Sequence, residues 1–99
     1  MADHVSYSEF EADARALGFN EVLVREWQPL TVVDPHTHPF DARAMVVGGE
    51  MWLTVDGLTR HLLTGDTFAL DAEVPHSERY GPEGATYWVA RRGGTASGR

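Results

Sequence analysis

The sequence predicts an all-β domain of short antiparallel strands, arranged as a sandwich or a small barrel. Three observations support this fold class. Apolar and polar residues alternate over several short stretches, turn sequences separate these stretches by roughly 8–12 residues, and no helical pattern follows Gly18. The 99 residues suffice for one domain, and 42% of them are hydrophobic and 23% charged, as in an ordinary globular protein.

The first expected element is a short helix near the N-terminus. Ser8 with Glu11 three residues later predicts a capping box at its start, and Gly18 predicts its end. Three apolar side chains then fall on one helical face that would pack on the barrel: Phe10, Ala14 and Leu17. We therefore expect an N-terminal helical segment over residues 1–20.

The strands should follow from residue 21 onward. They are expected at residues 21–27, 32–33, 44–47, 51–55, 58–62, 67–70, 77–80 and 86–90. Asp56-Gly57 is a two-residue hairpin turn, which places Trp52 opposite His61 on the outer face. The barrel is thus predicted over residues 21–92. The small and polar stretch at 93–99 is predicted to be a disordered tail.

Composition excludes several classes of function. The chain has no cysteine, which excludes disulfides, thiolate metal sites and a cysteine nucleophile. The net charge of −7 argues against a nucleic-acid partner, because phosphate repels an acidic surface. No stretch approaches the ~20 apolar residues of a membrane helix, and the first residues do not resemble a signal peptide. We expect a cytoplasmic protein with no membrane partner.

Three histidines carry the strongest functional signal, namely His36, His38 and His76. Side chains at positions i and i+2 of a strand project from the same face, so His36 and His38 would lie about 7 Å apart at Cα. Two imidazoles at this spacing can bind one metal ion at about 2.0–2.1 Å. A third imidazole from a distant strand would leave coordination positions open for water, oxygen or substrate.

The spacing of these histidines resembles the two sequence motifs of the cupin family. The first motif has the form G-x5-H-x-H-x3,4-E-x6-G; His36 and His38 fill its histidine positions and Gly49 its last glycine. The second has the form G-x5-P-x-G-x2-H-x3-N, in which Gly65 and His76 match. Together the two motifs are more specific than either alone.

The resemblance covers roughly residues 21–92. It implies a cupin-type antiparallel β-barrel of jelly-roll form, with one short N-terminal helix. It also implies that His36, His38 and His76 bind one divalent metal inside the barrel. Small cupins resemble one another in forming dimers, and a chain this short gains buried surface by association, so a homodimer is expected.

The sequence departs from the motifs at several positions. Ala42 stands where the family usually has its metal-binding glutamate, and Leu30 stands where the opening glycine belongs. In the second motif the proline, the second glycine and the asparagine are replaced by Asp71, Glu73 and Tyr80. The resemblance is therefore to a three-histidine cupin. Asp41 or water could replace the lost glutamate, although adjacent residues of a regular strand face opposite ways unless the chain bulges.

Loss of the carboxylate has a chemical consequence. Three neutral imidazoles leave a divalent ion with its full charge, so the site should favour anionic ligands. Imidazole ligation suits Zn, Fe, Cu or Ni better than Mn or Mg, and Fe, Zn or Ni is the expectation here. The main hypothesis is an enzyme of oxygenase or isomerase type acting on a small anionic organic molecule. The alternatives are a ligand-binding sensor module and a vestigial cupin without metal, since fold does not fix reaction.

Other residues near the histidine segments are weaker candidates. Arg43, Arg79 and Tyr80 could bind substrate, but such side chains are more often solvated or used in packing. Glu73 and Glu78 flank His76 and are expected to be solvated rather than to act as acid–base groups.

Overall fold

A computed structural model of the chain describes residues 5–93. One helix precedes six strands: α1 (Tyr7–Ala16), β1 (Glu21–Trp27), β2 (Val32–His36), β3 (Phe40–Val55), β4 (Leu58–Leu63), β5 (Thr67–Leu70) and β6 (His76–Gly93). All strand pairs are antiparallel. The predicted all-β class with a short N-terminal helix is confirmed. The predicted tail begins at Gly93, and the rest of it lies outside the described residues.

Two long strands, β3 and β6, run through both halves of the barrel. The second half of β6 pairs with β1 and with the first half of β3, which also pairs with β5. The first half of β6 pairs with β2 and with the second half of β3, which also pairs with β4. Each half therefore holds four strands. The sequence pattern predicted two shorter strands in place of each long one, because glycines interrupt the apolar pattern in the middle of β3 and β6.

Glycines allow β3 and β6 to bend between the two halves. The pairing register shifts on both sides of the bend in β3, next to Gly49. A Cβ on Gly49 would lie 2.1 Å from the carbonyl oxygen of Gly84. A Cβ on Gly84 would lie 2.2 Å from the carbonyl oxygen of Trp27. Both glycines also have positive φ angles, of 71° and 73°. Only glycine fits where three backbones approach this closely.

The helix begins two residues earlier than predicted. Ser6 is its N-cap and forms a capping box with Glu9, so the Ser8 and Glu11 pair predicted for this role is wrong. Both pairs fit the same sequence pattern, and spacing alone does not separate them. Gly18 follows the C-cap with a φ of 96°, as predicted.

The helix packs on the barrel through a small apolar cluster. Phe10 and Ala14 are buried with Phe19 and Ala90 of β6. Leu17 was predicted on the same face but is 53% exposed. It lies at the C-cap, where the chain leaves the helix, and Phe19 takes the buried position instead.

The β3–β4 hairpin has the predicted register. Trp52 pairs with His61, and their rings stack at a centroid distance of 4.4 Å. The guanidinium of Arg79 also lies over the Trp52 ring, 4.3 Å from its centroid. The outward-facing Trp52 is thus covered by residues of its own chain.

Among residues 5–93, no helix is long and apolar enough to cross a membrane.

Two residues that replace motif glycines keep a backbone conformation typical of glycine. Leu30 has a φ of 61° and Glu73 a φ of 67°. A side chain in this left-handed region costs roughly 1–2 kcal/mol. Leu30 is 69% exposed, so little packing offsets this cost. The retained conformation supports the alignment of both positions with the cupin motifs.

Replacing either residue with glycine should therefore stabilise the fold. We expect Leu30→Gly and Glu73→Gly each to raise the free energy of unfolding by about 0.5–1 kcal/mol, after the greater entropy of the unfolded glycine chain is subtracted. Urea denaturation measures this change. Leu58→Gly is the control, because Leu58 is exposed on a regular strand. It should lower stability, and the same loss at all three positions would contradict the strain argument.

Candidate metal centre

Two of the three histidines come from neighbouring strands. His36 ends β2 and pairs directly with His76, which begins β6. His38 lies just beyond β2, in the link to β3, so the expectation that the His-x-His pair lies entirely on a strand is wrong. The backbone of this link is fixed because the N–H of Glu73 donates to the carbonyl oxygen of His38 at 2.7 Å.

The three imidazoles converge on one point. Their possible ligand atoms all lie within 4.8 Å of one another. The ring centroids are 4.9 Å apart for His36 and His38, 4.3 Å for His36 and His76, and 4.8 Å for His38 and His76. His76 is buried, whereas the other two are partly exposed. The geometry meets the first requirement of a metal site, which is several donor atoms around a common centre.

Hydrogen bonds fix which ring nitrogen is free. The Nδ1 atom of His36 lies 2.8 Å from the carbonyl oxygen of Asp34, and that of His76 lies 2.9 Å from the carbonyl oxygen of Val74. A carbonyl oxygen only accepts, so each Nδ1 carries the proton and donates it. The Nε2 atoms of the neutral rings then offer lone pairs. Such backbone contacts orient histidines that bind metals.

The Nε2 atom of His76 is buried and lacks a hydrogen-bond partner within residues 5–93. Buried polar atoms are rarely left without a partner, because the loss of hydration is costly. A cation bound at this nitrogen would resolve the deficit. The unpartnered nitrogen of His76, next to two further imidazoles, therefore fits a bound metal ion.

Burial lowers the pKa of His38, and its neighbours His76 and His36 lower that pKa further. A lowered pKa keeps the imidazole neutral at pH 7, which is the form that binds a metal. The ring of His38 also stacks on Phe40 at a centroid distance of 4.7 Å. Stacking restricts the ring, so this link residue is held in place although it lies outside a strand.

The histidines lie on the wall of a cavity of about 90 Å³ inside the barrel. Its other polar lining groups are Arg25, Arg91, Glu78 and Tyr87, with Trp27 beside them. The apolar lining is formed by Phe40, Ala42, Phe68, Leu70 and Val89. An apolar cavity with a few convergent polar groups is the usual form of a small-molecule site.

Two arginines of this cavity were not predicted from the sequence. Arg25 lies on β1, opposite Tyr87 of β6, and Arg91 lies on β6, opposite Ala42 of β3. Arg91 also covers Phe40 at 4.6 Å, and its Nε atom is buried without a hydrogen-bond partner in the part of the chain that the structure describes. Two-residue periodicity could have found Arg91, since Tyr87 and Val89 are buried on the same face.

The arginines predicted as weak substrate ligands lie outside this cavity. Arg43 is exposed, because its neighbours Ala42 and Ala44 take the inward positions of the strand. Arg79 lies on the outer surface against Trp52 for the same reason of alternation. Tyr80 is fully buried and does not line the cavity; its hydroxyl donates to Glu78 and its ring stacks on Trp27, which are both lining residues. The tyrosine that lines the cavity is Tyr87.

Ala42 and Asp41, at and next to the position of the motif glutamate, point in different directions. Ala42 is buried and lines the cavity, as the alignment implies. Asp41 points elsewhere: one carboxylate oxygen accepts from the N–H of Ala72 at 2.8 Å, and the other lies 3.2 Å from Arg92. Asp41 is therefore fully engaged and does not replace the glutamate.

Glu78 departs most from expectation. The sequence predicted a solvated side chain, but Glu78 is only 8% exposed and lines the cavity. Its Oε2 atom lies 3.3 Å from Nε2 of His76 and 3.6 Å from Nε2 of His36. Position i+2 from His76 on a strand was the signal for this contact, because both side chains share one face.

Several solved structures have a fold similar to that of this chain. A cupin protein from Bacteroides fragilis matches with a TM-score of 0.64 and 17% identity, over 82% of this chain and 71% of that one. An uncharacterized conserved protein with a double-stranded β-helix domain from Klebsiella pneumoniae matches with a TM-score of 0.64 and 25% identity, over 77% and 69% of the two chains.

The DMSP lyase DddQ from Ruegeria pomeroyi matches with a TM-score of 0.69 and 22% identity. The match covers 77% of this chain but only 39% of the lyase chain. No protein-family model and no curated protein matches the sequence.

The chain therefore has the cupin fold, an antiparallel double-stranded β-helix. Within that fold it carries a group of three histidines that could hold a metal ion. It has alanine at position 42, where the family motif has glutamate.

Proposed function

We propose that this protein is a mononuclear metal cupin that binds a small anionic organic molecule at His36, His38 and His76, and that it is an enzyme of oxygenase or isomerase type. The observation that carries the proposal is the convergence of three imidazoles in a cavity that also holds two arginines. Fe, Zn or Ni suits this donor set. A bound divalent ion would polarise substrate oxygens as a Lewis acid.

The chain's own side chains would select and orient the ligand. Arg25 and Arg91 supply positive charge, and an arginine can hold a carboxylate by two parallel hydrogen bonds. Burial and the nearby Glu78 carboxylate raise the pKa of Tyr87, so its hydroxyl stays protonated and can donate to a ligand. The cavity has a volume of about 90 Å³, which suits a small ligand.

Anion binding should depend on the cavity arginines rather than on the exposed ones. In zinc-loaded protein, Arg91→Gln and Arg25→Gln should each weaken succinate binding about tenfold or more, because a charge-assisted hydrogen bond contributes about 1.5–3 kcal/mol. Calorimetric titration measures the dissociation constants, with neutral succinamide as the ligand control. Arg43→Gln is the protein control, because Arg43 is exposed. An equal loss in Arg43→Gln would contradict the assignment of the anion to the cavity.

Turnover distinguishes an enzyme from a ligand-binding module. An enzyme should consume oxygen or convert a member of a panel of small carboxylates when it is loaded with Fe(II), and a sensor should bind without conversion. Cupin-fold neighbours include DMSP lyases, which supports but does not fix the choice of an enzyme. A homodimer and a cytoplasmic location remain predictions. Exposure of Trp52 is not an argument for the dimer, because His61 and Arg79 of the same chain cover that side chain.

A further inference from the structure

We infer that Glu78 is a fourth protein ligand of the metal and takes the chemical role of the motif glutamate that Ala42 has replaced. The inference rests on the proposed metal site. It assigns the carboxylate to a different strand, since Glu78 belongs to β6 and Ala42 to β3. Both residues line the same cavity, so a carboxylate from either strand can serve one centre.

The first argument is the direction in which the donor atoms point. The Nδ1 atoms of His36 and His76 donate to backbone carbonyls, so the Nε2 atoms of the neutral rings are lone-pair donors to a metal. These two nitrogens face Oε2 of Glu78, which lies 3.3 Å from that of His76 and 3.6 Å from that of His36. Two imidazole nitrogens and one carboxylate oxygen thus converge on one point, as the ligands of a bound cation would.

The second argument is the burial of the carboxylate. Glu78 is 8% exposed, and within residues 5–93 no lysine or arginine forms an ion pair with it. A buried carboxylate is costly unless a positive charge or several donors compensate it. The hydroxyl of Tyr80 donates to Oε1, which leaves Oε2 free on the side of the imidazoles. A bound metal would supply the missing positive charge.

The third argument is distance. Two donors on adjacent coordination positions, each about 2.0–2.2 Å from one ion, lie about 3 Å apart. The separations of Oε2 from the two Nε2 atoms, 3.3 and 3.6 Å, are close to this value. Tyr80 orients the carboxylate toward the ion, in the way that hydrogen-bonded neighbours orient metal ligands.

The inference changes the charge expected at the centre. With Glu78 bound, the metal and its protein ligands carry a net charge of about +1 rather than +2. Attraction for an anionic ligand would then come from Arg25 and Arg91 as well as from the metal. A carboxylate ligand also widens the range of metals that the site tolerates toward harder ions such as Mn(II).

Cobalt(II) titration of the metal-free protein tests the inference. Wild-type protein should bind cobalt with a visible ligand-field spectrum, and Glu78→Gln should weaken binding about tenfold or more and shift that spectrum. Ala42→Glu in the Glu78→Gln background should restore most of the affinity, because it returns a carboxylate to the cavity from β3. Glu73→Gln is the matched control; it removes the same charge from an exposed side chain and should change neither affinity nor spectrum.

The infrared difference spectrum between zinc-loaded and metal-free wild-type protein gives a second readout that needs no variant to fold. It should contain a shifted carboxylate stretch. Wild-type protein that binds cobalt with no carboxylate shift, or Glu78→Gln with unchanged affinity and spectrum, would overturn the role of Glu78 and leave the three-histidine site intact. Wild-type protein that binds no cobalt at all would overturn the proposed function as well.

Discussion

Replacing His36 or His76 with alanine should lower the affinity for zinc about 100-fold or more. Each change removes one donor from a centre that has only three imidazoles, and even the loss of an outer-shell partner of a metal ligand costs 10–100-fold. His38→Ala should act in the same direction. Competition with a chromophoric chelator measures the dissociation constants, and circular dichroism of the metal-free proteins shows whether the fold is kept.

His61→Ala is the matched control for these variants. His61 lies on the outer surface, where it stacks on Trp52 and contacts Glu50 at 2.6 Å. Its removal deletes an imidazole of the same chain without touching the cavity. Zinc affinity should therefore stay within about threefold of the wild-type value. If His61→Ala lost as much affinity as His36→Ala, the zinc measured would be bound on the surface rather than inside the barrel.

The melting temperature of the metal-loaded protein should fall steeply between pH 7 and pH 5. Metal-bound histidines must be neutral, so each one that binds a proton in the unfolded chain favours unfolding as pH falls. Three coupled histidines give a slope on the order of 4 kcal/mol per pH unit, since one proton corresponds to about 1.36 kcal/mol per unit. Differential scanning calorimetry across this range measures the effect.

The metal-free protein should show the same sign with a smaller slope. The pKa of His38 lies below its ordinary value of 6.5 in the fold. Below that ordinary value the unfolded chain therefore binds more protons than the folded one, and stability decreases as pH falls toward the folded pKa. Above it both states are neutral and the contribution is constant. Parallel curves for the loaded and metal-free forms would mean that these histidines do not hold the metal.

The fold was largely predictable because its signals are local. The hairpin turn at Asp56-Gly57 and the alternation around it gave the correct pairing of Trp52 with His61. The continuity of β3 and β6 was not predictable from the pattern. Glycines in a strand usually weaken it, whereas here they let two strands bend where backbones meet, and only the tertiary contact of Gly49 with Gly84 reveals that role.

The candidate site was predictable only in part. The three histidines have a spacing that is readable from the sequence. Arg25 and Glu78 have no such signature, because a charged residue on a strand is usually solvated, and its burial depends on what the opposite strands contribute. Glu78 is buried because Tyr80 and two imidazoles surround it. The two-residue alternation from His76 indicated which face of the strand Glu78 occupies. The prediction of a solvated side chain was favoured nevertheless, because glutamates are rarely buried.

The central claim is that the three histidines hold one metal ion, and metal analysis of protein purified without a histidine tag tests it most directly. Mass spectrometric elemental analysis should find close to one divalent transition-metal ion per chain, either as purified or after incubation with Fe(II), Co(II), Ni(II) or Zn(II) and removal of the excess. The variant with His36, His38 and His76 all replaced by alanine should hold only traces. Equal metal content in that variant and the wild type, or only trace metal in both, would contradict the account.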